Sequence, residues 1–386
     1  MSKMNSKYNC VVIVIDCLRR DKCLITDTPT IHSLIKEGTF FDQAISSTST
    51  TSPSFASILT GLYPFQHGIR SLSGYKLDEK AKTIAERLNK HGYYTHAEIT
   101  GPLLPELGLN RGFDKYNWRK AEKNINSDWF DKIAKKFKEN DFKEPWFVLL
   151  HLFELHQSQE TKIPDYINGD TRYDEILSYL DFKLESILNN IDQENTLIIL
   201  TGDHGDRLAN NKFEIFFEKI KRGIKIVKEK LGLETPITNP SIGHGFNVYE
   251  PLIRVPLIFR HEKIFPKGKT IPNQVRQVDI YPTILDVLDI DFKNENIAGK
   301  SLLDIFEGEE KNRMAYIEAC GAVLEDKKYW RAGVRSSGYK YIWRPWSGKK
   351  SEELYNLEAD PTEENNIVEK KPKIAKKLRR YAEEIR

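Results

Sequence analysis

Short apolar runs rich in β-branched residues recur along the chain and alternate with segments of helical periodicity. Such runs are typical of strands buried on both faces of a sheet, and the alternation is typical of an α/β fold. The pattern predicts strands at 10–15, 39–45, 93–99, 146–152, 196–201 and 255–259. It predicts helices at 29–36, 53–60, 81–90, 128–139, 173–189 and 280–288. We therefore expect a mostly parallel sheet sandwiched by helices.

The pattern changes at about residue 314, where the segments become shorter. Strands are predicted at 315–318, 330–334, 339–343 and 353–356, followed by a basic last helix. A small antiparallel sheet with one helix fits this tail. We divide the chain into an α/β domain, 1–312, and a small α+β subdomain, 313–386.

An insertion at 205–243, within the main domain, has a charged helical pattern. It begins directly after Asp203 and His204, which are candidate metal ligands. It is therefore either a lid or wall of the site or a surface excursion that covers the core. The sequence leaves both interpretations open.

Acidic and imidazole side chains follow two of the predicted strands. Asp16 comes directly after the first strand, and Asp203 and His204 come just after the strand at 196–201. Because ligands in open α/β sheets collect at the carboxyl ends of strands, we expect the three side chains to converge. Two carboxylates and an imidazole suit a divalent cation of intermediate hardness.

A hydroxyl precedes a predicted helix in the segment TSPSFASILTG, residues 51–61. Pro53 suits a first helical turn, so Thr51 lies beside free backbone N–H donors that can hold the charge of a tetrahedral anion. A threonine hydroxyl is a weak nucleophile until a base or metal activates it. Thr51 is the predicted nucleophile, with Thr50 as the alternative in this hydroxyl-rich run.

Five other polar residues have predicted roles. His156 and His244 are predicted to bind the oxygens of an ester or to protonate its leaving group, with a plain surface histidine as the alternative. His151 is assigned to the core. Arg19 and Arg70 are assigned to structural salt bridges, with contact to the anion as the alternative.

Several segments and their order along the chain resemble those of the sulfatase family of the alkaline phosphatase superfamily, and the resemblance covers nearly the full chain. Residues 51–61 are similar to the family signature C/S-x-P-S-R-x-x-x-L-T-G. Further similar segments are 16–21 (DCLRRD), 28–41, 152–156 (LFELH), 203–205 (DHG), 244–245 (HG), 255–258, 279–285 (DIYPTIL), 299–302 (GKSL) and 353–361. The resemblance implies an alkaline-phosphatase-like fold and a metal-dependent site for an anionic ester.

Two departures from the family pattern affect the expected chemistry. Thr51 and Phe55 stand where the signature has Cys or Ser and Arg. Sulfatases oxidise that Cys or Ser to formylglycine, and threonine has no route to the same aldehyde. The resemblance then implies attack by an unmodified alkoxide, as in phosphodiesterases and phosphoryl transferases of the superfamily.

Cys17 stands where many sulfatases place a second aspartate, so one hard oxygen ligand is lost. We expect one divalent ion, manganese, zinc, calcium or magnesium, with calcium disfavoured by that loss. Its ligands are Asp16, Thr51, Asp203 and His204. A second ion near His156 and His244 is ranked lower because no D-x-x-x-H partner is found.

Composition excludes several classes of protein. The 386 residues carry 59 Lys and Arg against 56 Asp and Glu, and a net charge of +3 does not indicate a nucleic-acid binder. The four cysteines form no C-x-x-C pair and are expected to be reduced thiols. Residues 1–8 are polar, and the first apolar run is too short to span a bilayer. We expect a cytoplasmic protein without a membrane span.

The function predicted from these parts is metal-dependent hydrolysis of a phosphate, phosphonate or sulfate ester of a small molecule, glycan or lipid, with Thr51 as nucleophile. Three alternatives stay open at this stage: a true sulfuric ester hydrolase, a phosphoryl or phosphodiester transferase, and an inactive family member that acts as a binding protein. The oligomeric state is not predicted.

Overall fold

The computed structural model describes residues 8–120, 125–156, 161–208, 220, 243–306, 312–321, 327, 330–345 and 351–386. Within these residues the main sheet has eight strands. They are β1 (Asn9–Ile15), β2 (Thr39–Ile45), β3 (Tyr94–Ile99), β4 (Lys115–Trp118), β5 (Trp146–Leu152), β6 (Thr196–Gly202), β7 (Arg254–Arg260) and β8 (Lys269–Arg276).

The helices of the same residues lie mainly between these strands. They are α1 (Arg20–Ile25), α2 (Pro29–Glu37), α3 (Thr51–Thr60), α4 (Pro64–His67), α5 (Ile84–Lys90), α6 (Trp129–Lys138), α7 (Arg172–Leu188), α8 (Glu250–Ile253), α9 (Ile280–Val287) and α10 (Pro372–Ile385). Short 3₁₀ helices occur at Pro105–Leu107, Gln277–Asp279 and Leu303–Ile305.

The strand order of the main sheet is β4-β3-β5-β1-β6-β7-β2-β8. Each neighbouring pair is parallel except the two that involve β7, which runs against β6 and β2. In the centre, Ile15 of β1 pairs with Leu152 of β5 and with Gly202 of β6. Three strands therefore end at the same level, and the residues that follow them meet at one edge of the sheet.

Two apolar cores lie on opposite faces of this sheet, because successive side chains of a strand point to opposite sides. Val12 and Val14 face the core that α3, α5 and α9 cover. Val11 and Ile13 face the core that α2, α6 and α7 cover. With both faces buried, the central strands need the continuous apolar runs seen in the sequence.

The C-terminal part contains a four-stranded antiparallel sheet in the order β12-β11-β10-β9. Its strands are β9 (Ala315–Ala319), β10 (Arg331–Arg335), β11 (Tyr339–Trp343) and β12 (Glu352–Asn356). Ala375, Leu378 and Ala382 of α10 pack in the same core as Tyr341. The fully buried Lys340 lies 3.1 Å from Glu250 of α8, so an ion pair ties this sheet to the main domain.

The predicted fold class is confirmed, with differences in detail. The edge strands β4 and β8 were not predicted, and α3 begins at Thr51 itself rather than at Pro53. The domain boundary near residue 312 stays a prediction. The predicted insertion at 205–243 lies outside the described residues except for 205–208, 220 and 243. Among the described helices, none combines the length and apolar character needed to cross a membrane.

Candidate active site

The carboxyl ends of β1 and β6 place two acidic side chains next to each other. Asp16 follows Ile15, and Asp203 follows Gly202, which are paired residues of the adjacent strands. Both aspartates are fully buried. The backbone N–H groups of Cys17 and His204 donate to Oδ1 of Asp203, over 3.1 and 2.7 Å, and fix the orientation of its carboxylate.

Thr51, the first residue of α3, presents its hydroxyl to this pair. Its Oγ1 lies 3.1 Å from Oδ2 of Asp16 and 3.2 Å from Nε2 of His204. Nε2 of His204 lies in turn 3.4 Å from Oδ2 of Asp203. The structure therefore brings Asp16, Thr51, Asp203 and His204 together. The alternative residue Thr50 is also buried, but its Oγ1 has no hydrogen-bond partner.

A network of buried polar groups holds the backbone at Asp203. The Ser54 hydroxyl of α3 and the Gln277 side-chain amide both donate to the Asp203 carbonyl, over 2.6 and 2.9 Å. Gln277 also donates to the carbonyl of Gly202 over 2.9 Å. These contacts connect the start of α3 to the end of β6. Gln277 was not predicted, because it follows a strand that the sequence pattern did not show.

His151 on β5 also belongs to the site, although the sequence assigned it to the core. Its Nδ1 lies 3.1 Å from the carbonyl oxygen of Thr100, and its Nε2 lies 3.5 Å from Oδ2 of Asp16. Phe55 packs edge-on against its ring, with centroids 4.7 Å apart. The residue that replaces the family arginine thus supports a histidine and leaves no positive charge at that position.

Oδ1 of Asp16, Oδ2 of Asp203 and Nε2 of His151 are buried at this edge, and each lacks a hydrogen-bond partner among the described residues. Ligand atoms of the same three residues all lie within 4.8 Å of one another. Buried polar groups are normally satisfied, so unpartnered atoms that converge from three strands fit a bound cation.

The charges of the two aspartates are strongly linked. Burial, and then the nearby charge of Asp16, raises the pKa of Asp203 well above its ordinary value. Burial opposes the ionisation of Asp16 as well, but the neighbouring imidazole of His151 lowers its pKa. Two carboxylates this close are stable as anions together only when a positive charge lies between them. Burial also lowers the pKa of His204 to about 4, which leaves its ring neutral and able to bind a metal.

The two remaining predicted residues, His156 and His244, lie beside the same edge. The ring of His244 is centred 4.5 Å from that of His204 and 5.1 Å from that of His156. His156 is exposed and stacks on Phe153 at 4.5 Å. Nδ1 of His244 lies 3.2 Å from Oδ1 of Asp206, a partner that was not predicted. His244 therefore lies beside His204, and His156 lies beside His244.

The two arginines form the predicted salt bridges. Arg19 lies 2.6 Å from Asp21, and Arg70 lies 2.6 Å from the buried Glu318.

Comparison with known proteins gives two matching family models. The model described as Sulfatase matches residues 9–290, and the model described as N-sulphoglucosamine sulphohydrolase, C-terminal, matches residues 245–386. An ulvan-active sulfatase of Formosa agariphila is 22% identical over 392 residues, which cover 88% of this chain and 71% of that protein.

Two solved structures show how widely the fold is shared. One was determined in complex with its substrate D-glucosamine-2-N,6-O-disulfate; it is 18% identical, with a TM-score of 0.72 over 98% of this chain and 97% of that one. The other is the phosphonate monoester hydrolase of Agrobacterium radiobacter, which is 17% identical, with a TM-score of 0.71 over 98% of this chain and 95% of that one. At these identities the likeness concerns the fold alone.

Proposed function

Since this chain belongs to the sulfatase family, we propose that it is a metal-dependent hydrolase of an anionic ester in which Thr51 is the nucleophile. One observation carries the proposal: the Thr51 hydroxyl lies 3.1 Å from a carboxylate oxygen of Asp16 and 3.2 Å from an imidazole nitrogen of His204. A buried hydroxyl between an acid and an imidazole, at the start of a helix, has the surroundings that an activated nucleophile needs.

Asp16, Thr51, Asp203 and His204 would hold the divalent ion. The unpartnered oxygens of the two aspartates support this assignment, and His151 adds a further nitrogen that the sequence did not indicate. When bound, such an ion lowers the pKa of a coordinated hydroxyl and polarises an oxygen of the ester.

The protein's own groups account for the remaining steps. Asp16 accepts a hydrogen bond from the Thr51 hydroxyl and orients its oxygen toward the substrate. The free N–H groups of the first turn of α3 hold the ester's negative oxygens. Oγ1 of Thr51 passes its proton to the carboxylate of Asp16 and forms a bond to phosphorus or sulfur. The bond to the alcohol oxygen breaks, and His156 or His244 gives that oxygen a proton. Water then releases the acid and restores the hydroxyl.

The nucleophile favours phosphate and phosphonate esters. A sulfatase of the usual kind attacks with an aldehyde hydrate, which Thr51 cannot form. Phosphate esters carry more negative charge on the transferred group than sulfate esters, so they gain more from a cation and a helix N-terminus. The substrate is proposed to be such an ester of a small molecule, a glycan or a lipid.

Hydrolysis of a sulfate ester is the second candidate. It is favoured by the family model, which matches residues 9–290, and by the similarity to an ulvan-active sulfatase. The two candidates share the site and differ in the transferred group, so one assay separates them.

The test is a set of nitrophenyl esters that differ only in the transferred group: sulfate, phosphate, phenylphosphonate and a phosphodiester. Each is measured after removal of metal and after addition of manganese, zinc, magnesium or calcium, with Asp203→Asn as the inactive control. We expect metal-dependent turnover that is fastest on a phosphorus ester. Faster turnover of the sulfate ester, with Thr51 shown by mass spectrometry to be unmodified, would favour the second candidate. No turnover of any ester would favour a binding protein.

A further inference from the structure

A sulfur atom lies beside two imidazoles at the edge of the candidate active site. Cys17, His204 and His244 each offer a ligand atom, and the three atoms all lie within 4.8 Å of one another. Cys17 and His204 are fully buried, and His244 is partly buried. This sulfur–imidazole group is distinct in composition from the neighbouring group of Asp16, His151 and Asp203.

The backbone of Cys17 is held in an unusual conformation. Its φ angle is +59°, in the left-handed region that L-residues with a side chain seldom adopt. The Tyr173 hydroxyl donates to the Cys17 carbonyl over 2.7 Å, and the Cys17 N–H donates to Asp203 over 3.1 Å. Backbone strain of this kind is found at sites where a side chain must point in one direction. Here it directs the sulfur toward the histidines.

The spacing of one sulfur–nitrogen pair fits a tetrahedral metal centre. Sγ of Cys17 lies 3.7 Å from Nδ1 of His244. When a sulfur and a nitrogen bind the same zinc ion at a tetrahedral angle, the usual bond lengths place the two ligand atoms about 3.6 Å apart. Nδ1 of His204 is occupied by the carbonyl of Gly205 at 2.8 Å, which leaves its Nε2 for the metal. The carboxylate of Asp206 lies 3.2 Å from the same Nδ1 of His244; this nitrogen would give up that contact on binding a metal, and the carboxylate would remain as a negative charge beside the group.

We propose that Cys17, His204 and His244 bind a thiophilic divalent cation of the zinc type, and that Cys17 sets the metal preference of the active site. The inference rests on the proposed function, because His204 belongs to both ligand groups. Its Nε2 can bind only one ion, so the two groups would share a single metal site. Thiolate and imidazole ligands select zinc and cobalt, whereas calcium and magnesium prefer oxygen ligands. At position 17 a soft sulfur ligand therefore replaces the hard oxygen ligand of an aspartate.

The experiment is a titration of the metal-free, full-length protein with Co²⁺, which replaces zinc in such sites and shows a near-ultraviolet charge-transfer band when a thiolate binds it. Cys17→Ala is compared with Cys10→Ala. Cys10 is a matched control because it is also fully buried, and it lies seven residues earlier, near the start of β1 and roughly 20 Å from Cys17. Thermal unfolding of each variant checks that it is folded.

We expect the charge-transfer band in the wild type and in Cys10→Ala and its absence in Cys17→Ala. We also expect Cys17→Asp to lower the ratio of zinc to calcium affinity by about tenfold or more, because an oxygen ligand replaces a sulfur. Cobalt that binds to the wild type without the band would overturn the inference and leave the metal-dependent hydrolase intact. A wild type that binds no metal would overturn both. The wild-type spectrum alone distinguishes these three outcomes, so the inference can be tested even if a variant folds poorly.

Discussion

Replacing Thr51 by alanine removes a hydroxyl that lies 3.1 Å from Asp16 and 3.2 Å from His204. A hydrogen bond to a charged group contributes about 1.5–3 kcal/mol to stability. This is a minor part of the roughly 5–15 kcal/mol by which folded domains are stable, so the variant stays folded. Loss of the attacking atom is much more costly for catalysis. We expect kcat/KM to fall by about a thousandfold or more, which corresponds to about 4 kcal/mol in the barrier.

Thr50→Ala is the matched control for this prediction. The two threonines are neighbours and are both buried, but Oγ1 of Thr50 has no hydrogen-bond partner. Its removal leaves no partner unsatisfied, so we expect activity close to that of the wild type. Both variants are assayed on the best nitrophenyl ester at saturating metal, with thermal unfolding measured in parallel. Equal activity of the two variants, or a loss confined to Thr50→Ala, would refute the assignment of the nucleophile.

Three further predictions concern the surroundings of the site. Asp203→Ala is expected to lose both bound metal and activity; stoichiometric metal in the dialysed variant would place the ion elsewhere. In Gly205→Ala the added Cβ would lie 2.0 Å from the carbonyl oxygen of Pro251, so we expect a lower Tm and reduced activity, and an unchanged Tm would contradict the packing seen here. Burial opposes the ionisation of Asp279, but the guanidinium of Arg276 lowers the pKa of this carboxyl group. The ionised carboxylate therefore stabilises the fold fully above its pKa in the unfolded chain, about 3.9, and this stabilisation is lost as the pH falls below that value. Asp279→Asn is expected to be less stable by about 3–5 kcal/mol at neutral pH, with a difference that narrows below pH of about 4; a difference independent of pH would argue against this ion pair.

The parts of the site that follow central strands could be predicted from the sequence. Asp16 and Asp203 each come just after a continuous apolar run, and parallel strands align their ends. Thr51 could be singled out because the motif around it also marks a helix start. The structure adds that the helix includes Thr51 as its first residue.

Other parts of the site and of the fold could not be predicted from the sequence. His151 lies inside an apolar run, and nothing in the sequence distinguishes a histidine in the core from one that faces the site at the end of the sheet. The edge strand β4 consists mostly of exposed residues, and β8 contains Pro272 and several exposed positions. Such edge strands lack the apolar pattern of central ones, and Gln277, which follows β8, was missed with it. The left-handed backbone of Cys17 depends on contacts from Tyr173 and Asp203, which only the fold brings close.

The most direct test of the central claim is to trap the covalent intermediate. The protein is mixed with the best phosphorus ester, quenched in acid within one turnover, digested and examined by mass spectrometry, with Thr51→Ala treated in the same way. We predict one transferred group on the peptide that contains Thr51, located on that residue by fragmentation, and no label in the variant. A wild type that turns over substrate while the label lies on another residue would contradict the account.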